Sequence, residues 1–254
     1  MVSERDMKYV MCMAAAGLLT APAFGQGTVS IGAAADTTLF ESPTGALGSG
    51  AGATLFAGSL LNGDVRRGLV RFDVGAVVPS GATITGAFLR LNTSRAASAT
   101  ELVGLHRVTR AWGEGASASP GSGGGGGPAQ PGDATWIHSV FPGVLWTNPG
   151  GDFQAAASAE TLVGGSGAYT WSSPGLLADV QWWHANPTMN FGWLLRGNES
   201  MNQTVRRFDS REHPNAEVRP SLVVTYEIPN PGTAVLMTAG VILAIPRRRW
   251  LKGR

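Results

Sequence analysis

Thr83-Ile84-Thr85-Gly86-Ala87-Phe88-Leu89-Arg90-Leu91 decides the fold class. Apolar and polar residues alternate here with a period of two, the spacing of a half-buried strand. Ala87, Leu89 and Leu91 are expected to face inward, with Thr83, Thr85 and their neighbours completing the pleat. Arg67 to Val74 repeats the pattern, with Val70, Phe72 and Val74 inside and Arg71 and Asp73 on the opposite face. Arg219-Pro220-Ser221-Leu222-Val223-Val224-Thr225-Tyr226 is expected as the last strand, with Pro220 at its start, where a missing N–H is tolerated. Only one segment has helical spacing: Ser173-Pro174 is a cap followed by proline, and Leu176, Leu177, Val180 and Trp183 then recur along one face. Many short strands, one short helix and no βαβ rhythm predict an all-β fold, a β-sandwich or jelly roll.

The two ends of the 254-residue chain read differently from this middle. Residues 1–25 carry Lys8, an apolar run from Tyr9 to Leu19, and small residues at Ala23 and Gly25, the layout of a signal peptide whose core is a short helix. Residues 228–254 carry Pro229-Asn230-Pro231-Gly232, an apolar helical run from Thr233 to Ile245, and then Arg247-Arg248-Arg249. That run is roughly 20 Å long as a helix, short for a hydrocarbon core of about 30 Å. The arginines supply a positive-inside stop. Pro229, Asn230, Pro231, Arg247, Arg248 and Arg249 are therefore the candidate sorting signal. The single cysteine, Cys12, lies inside the signal segment, so residues 26–227 have neither a disulfide nor a thiolate metal ligand. Setting aside seven of the 19 basic and two of the 17 acidic residues with the ends leaves a domain with a net charge of about −3. The high isoelectric point belongs to the targeting segments, and no nucleic-acid partner is implied.

Residues 26–227 are enough for one large domain. Within them, residues 113–132 are dominated by glycine, serine and proline and include five consecutive glycines, Gly123 to Gly127. Chain entropy is expected to keep this loop disordered. No Gly-Lys-Ser/Thr follows it, so it is not a phosphate cradle.

Four histidines, His106, His138, His184 and His213, show no metal-ligand spacing, and Gly164-Gly165-Ser166-Gly167 reads as a turn rather than a nucleophile elbow. Asp209 with Glu212, or with Asp73 brought near in space, would be the carboxylate pair of a glycosidase. The alternative is that Arg71, Asp73, Arg211 and Arg219 make structural ion pairs at strand ends. Seven of the eight tryptophans fall in 26–227. Indole faces stack on sugar rings while arginine and amide groups bond the hydroxyls, although each tryptophan taken singly also fits a core. Trp182 and Trp183 are adjacent on the expected helix, about 100° apart, so the two are not buried alike. Trp182 is the candidate exposed platform, with His184 and Arg196 as polar partners. Asp36 and Glu41, with turn carbonyls, form a candidate oxygen-only calcium site; the alternative is Asp36 capping a turn.

Read as a series, these segments resemble a known family. Ala35-Asp36-Thr37-Thr38-Leu39, Arg67 to Val74 and Ala82 to Leu91 are similar to the opening of a DNRLRE domain. The likeness continues through Val108-Thr109-Arg110-Ala111-Trp112-Gly113-Glu114-Gly115, Thr135-Trp136 and Tyr169-Thr170-Trp171, then Asn190 to Leu195, Phe208-Asp209-Ser210-Arg211-Glu212 and Arg219 to Tyr226. The resemblance implies a β-sandwich of secreted and surface proteins, linked in that family to polysaccharide attachment. The C-terminal segment resembles the PEP-CTERM tail that exosortases recognise in Gram-negative bacteria, with Asn230 standing where that pattern has glutamate. Together they imply an exported cell-surface or matrix protein, transiently held in the inner membrane, whose partners are signal peptidase, an exosortase and polysaccharide. A polysaccharide lyase or glycosidase and a purely structural matrix or adhesion protein are the alternatives.

Overall fold

A computed structural model describes residues 24–229. The apolar alternation organises them into fourteen strands: β1 (Phe24–Phe40), β2 (Leu47–Gly48), β3 (Thr54–Ser59), β4 (Val65–Phe72), β5 (Thr83–Ala96), β6 (Glu101–Arg107), β7 (Gly127–Pro128), β8 (His138–Val140), β9 (Val144–Leu145), β10 (Ala159–Val163), β11 (Gly167–Trp171), β12 (Trp193–Arg196), β13 (Arg206–Asp209) and β14 (Ser221–Pro229). The main strands follow the order β1-β14-β5-β13-β3-β4-β12-β6-β10, with β11 also on β5 and β1 also on β4. The registers from β4 to β14 are antiparallel throughout. Strand β3 bonds β13 through Thr54 to Ala57 and β4 through Gly58 and Ser59, so it passes from one face of an antiparallel β-sandwich to the other. The all-β sandwich with one short helix expected from the period-two pattern is thus the observed fold.

The expected strand faces hold, with one slip. Val70, Phe72, Val74, Leu89, Leu91, Leu222 and Val224 are buried in the core between the sheets. In β5, however, Ile84 and Leu89 point the same way although five residues apart. An irregularity in the pairing, where Thr225 opposes Gly86 and Tyr226 opposes Ile84, shifts the alternation by one residue. Helix α2 (Pro174–Ala185) forms as its sequence predicts: the Ser173 hydroxyl accepts the Leu176 N–H, Pro174 occupies the first turn, and Asn186-Pro187 ends it. It closes the sandwich with Leu176, Val180 and Trp183. The Asp179 carboxylate on the same side accepts the Trp193 indole N–H at 2.8 Å and a hydrogen bond from Ser158. A single turn, α1 (Val74–Val77), is capped by Asp73.

The face of β4 opposite Val70 is covered as well. Leu39, Leu69 and Leu194 lie under Val108, Trp112, Ala134 and Trp146, which form a second core. Trp193-Leu194-Leu195 is a continuous buried run because alternate residues serve the two cores. Arg71 therefore does not make the expected ion pair; its guanidinium lies 5.7 Å from the Trp112 ring centroid.

The Gly113–Gly132 segment departs from its expected disorder. β7 within it pairs with β2. The Ala51 N–H bonds the Ser117 carbonyl at 2.8 Å, and Arg66 Nε donates to the Gly124 carbonyl at 3.0 Å. Glycine lets the backbone lie directly on neighbouring residues. At Gly123 (φ +86°) a Cβ would stand 2.5 Å from Thr54 Oγ1 and 3.2 Å from the Phe56 ring. The residue type that suggested entropy in fact permits close approach, and side-chain hydrogen bonds then fix the path.

Strand β14 runs to Pro229, two residues beyond the boundary expected from sequence. The signal segment and Asn230, Pro231 and Arg247 to Arg249 lie outside the described residues. Among the described residues no helix is long and apolar enough to cross a membrane.

Candidate functional site

The sequence-predicted platform is where the helix pattern puts it. Trp183 is fully buried, whereas Trp182 is 47% exposed. Of the seven tryptophans among the described residues, Trp182 alone is exposed. Its neighbours along that side of α2, Ala178 and Ala185, are small, exposed alanines. The helix beneath is pinned: Gln181 Nε2 donates to the Ile84 carbonyl at 2.8 Å, and Asn186 Nδ2 donates to the Trp182 carbonyl at 3.1 Å.

His184 and Arg196 do not gather in one depression. His184 lines an apolar hollow of about 580 Å³ with Asp73, Val78, Ala82 and Pro187; its Nδ1 is buried without a partner. Arg196 belongs to a separate groove of about 400 Å³ beside His106, Glu160 and Asn198. There His106 is held below the ordinary histidine range, chiefly by burial. Sequence reasoning missed a third depression, of about 410 Å³, between Phe56, Leu61, Arg95 and Arg207, with Ser122 of the glycine-rich segment on its rim. Two arginines and no carboxylate line it.

The carboxylates considered as a glycosidase pair are otherwise employed. Asp73 caps α1, and Asp209 is buried, accepting from Asn92 at 2.6 Å and facing His213 Nε2 at 3.9 Å. Arg219 donates to the His213 carbonyl rather than to an acid.

The candidate calcium pair is also redrawn. Glu41 is not beside Asp36; its Oε2 accepts the Val65 N–H at 2.7 Å, tying β4 to the end of β1. Asp36 meets instead Glu114 and Glu212, with one carboxylate oxygen of each residue within 4.8 Å of the others. Glu114 reaches back along β1 to accept the Asp36 N–H at 2.9 Å. Asp36 Oδ2 accepts the Arg211 N–H at 2.8 Å, which fixes the turn after β13. The Arg211 guanidinium contacts Glu114 at 2.9 Å and Glu212 at 3.1 Å. Three carboxylates thus share one arginine. Asp36 is 1% exposed, and its Oδ1 and the Oε2 of Glu212 are buried without hydrogen-bond partners. Burial first, and then the neighbouring charges of Glu212 and Glu114, push the Asp36 carboxyl well above the usual carboxylate range. Glu212 is raised as well, chiefly by burial. The only signal of this constellation in the sequence was that Asp36, Glu114, Arg211 and Glu212 are polar members of the short motifs quoted above; spacing gives no hint that the three meet.

Compared with family models and with curated proteins, the chain matches none.

Proposed function

We propose that this chain is an exported bacterial surface or matrix protein whose β-sandwich binds polysaccharide without cleaving it. The observation that carries the reading is Trp182: a 47% exposed indole on a rigid, capped helix, flanked by alanines, in a domain that buries its other tryptophans wholly or in part. A flat apolar face carried on a capped helix meets the need of sugar stacking, because an indole has only two side-chain torsions to order on binding. The motif series resembling a DNRLRE domain and the two terminal segments support export and a surface location. Processing of the tail by an exosortase-type enzyme belongs to the same proposal.

The test is a glycan-array screen of the chain and of Trp182→Ala, followed by a reducing-end assay on every hit. A hit that weakens roughly tenfold in the variant, without release of sugar, is the expected result. About half of Trp182 is covered, so the substitution should cost roughly 1–3 kcal/mol, and urea unfolding of the variant separates lost binding from lost folding. Release of reducing ends would replace the proposal with a polysaccharide-cleaving enzyme. Silence across neutral and acidic glycans would leave a structural matrix role.

A further inference from the structure

We infer that Asp36, Glu114 and Glu212 form a site for one divalent cation, calcium, which joins three segments distant in the chain. Two observations carry this independently of the polysaccharide reading. The first is crowding: Asp36, 1% exposed, has an Oδ1 with no N–H or O–H donor, and its carboxyl stands within hydrogen-bonding reach of the Glu212 carboxyl, whose Oε2 also has no such donor. Two facing carboxyl oxygens are costly to bury unless a proton or a cation lies between them. The second is charge: Glu114 and Glu212 contact the Arg211 guanidinium and Asp36 accepts the Arg211 backbone N–H, so with all three ionised three negative charges stand against one positive. The excess of two negative charges is what one divalent ion neutralises.

The donor set selects the ion. All three donors are carboxylate oxygens, with no histidine or cysteine among them, which favours a hard cation. Calcium takes oxygens at about 2.3–2.6 Å, so opposed ligands stand up to roughly 5 Å apart. The three oxygens lie within 4.8 Å of one another, close enough to share one ion. Magnesium demands near-ideal octahedral geometry at about 2.0–2.1 Å and keeps several waters, so a partly buried cradle of protein carboxylates suits it less. Access is open, because the Glu114 and Glu212 side chains are 23% and 24% exposed while Asp36 lies beneath them.

Such an ion ties β1 to the Trp112–Gly115 stretch and to the turn after β13. Those residues are gathered only in the folded chain, so calcium binds the folded state and stabilises it by mass action. The experiment is thermal unfolding of the full chain in EDTA and in calcium chloride, with equilibrium dialysis against ⁴⁵Ca²⁺ to count bound ions. One ion per chain is expected. Calcium at ~100-fold above its dissociation constant should raise Tm by roughly 5 °C or more. Glu212→Gln should weaken calcium binding at least ~tenfold and abolish the shift. In EDTA it should unfold no earlier than the parent, since one repelling charge is gone. That variant keeps the test decisive even where Asp36→Asn disturbs the strand. Identical Tm values in EDTA and calcium with no bound ion, calcium binding that survives Glu212→Gln, or an equal response to magnesium chloride would each overturn the assignment.

Discussion

Glu199 and Asp36 are both carboxylates withdrawn from water, and their surroundings drive them in opposite directions. The Glu199 side chain is 12% exposed and has two cations for one anion. Arg67 grips it with Nε at 2.7 Å and Nη2 at 2.9 Å, and Arg196 adds a contact at 3.2 Å. Arg67 is itself held by the Gly150 carbonyl and lies 4.9 Å from the Trp136 ring centroid. Burial works to raise the Glu199 carboxyl, and the hydrogen bonds and charges of Arg67 and Arg196 override it, keeping it below its ordinary range. At Asp36 the ratio is reversed, three anions to one cation, and burial wins. Partner count, not burial alone, decides whether a sunken carboxylate is a finished structural joint or a place that still needs positive charge.

The contrast can be broken most severely at Arg67. Arg67→Ala leaves Glu199 with one exposed partner and strips the stack on Trp136, so urea unfolding should show a loss of about 3–5 kcal/mol. A loss below about 1 kcal/mol would mean that the bidentate pair is not the joint it resembles.

Acidity and alkalinity should separate the two sites. Glu199, lowered in the folded state, contributes stability that is present above the unfolded carboxylate value of about 4.3 and is lost as pH falls through its folded value. Asp36, raised, contributes stability that is complete below its unfolded value of about 3.9 and fades as pH rises through its folded value. Tm followed across pH in EDTA should therefore lose part of its acid-side slope in Glu199→Gln, the rest resting on Asp152, and part of its opposing slope in Asp36→Asn. The same slope changes in both variants would erase the distinction.

Smaller effects sharpen it. Arg196 has a side chain that is 43% exposed, and Arg196→Ala should cost less than about 1 kcal/mol, showing that Arg67 carries the pair. Asp36→Asn in EDTA should be the mildest, within about 0.5 kcal/mol, because an amide stands in for the protonated carboxyl and offers Glu212 Oε2 a donor. A large loss in that variant would make Asp36 a structural anion like Glu199.

How much was legible in advance differs between these features. The strands of β4, β5 and β14, the capped helix and the unequal burial of Trp182 and Trp183 follow from local alternation and from the Ser173-Pro174 cap. Asp36 was legible as a candidate ligand, but the partner assigned by proximity, Glu41, serves a strand N–H instead. Glu114 and Glu212 lie 78 and 176 positions further along the chain, and nothing periodic links them. The same blindness hid the second core. Arg67 and Leu69 share the strand face that reads as the polar side of β4, yet the chain from Val108 to Phe153 folds over it.

Sequence by itself determined the strands at β4, β5 and β14, the capped helix, the all-β class and which of the two adjacent indoles stays in water, because each depends on side chains within one strand or one helical turn. Tertiary structure alone decided which charges meet, that a glycine-rich stretch packs instead of wandering, and that His184 and Arg196 serve different hollows. Those outcomes depend on the path of the whole chain, and electrostatic balance is settled only once distant residues share one buried volume.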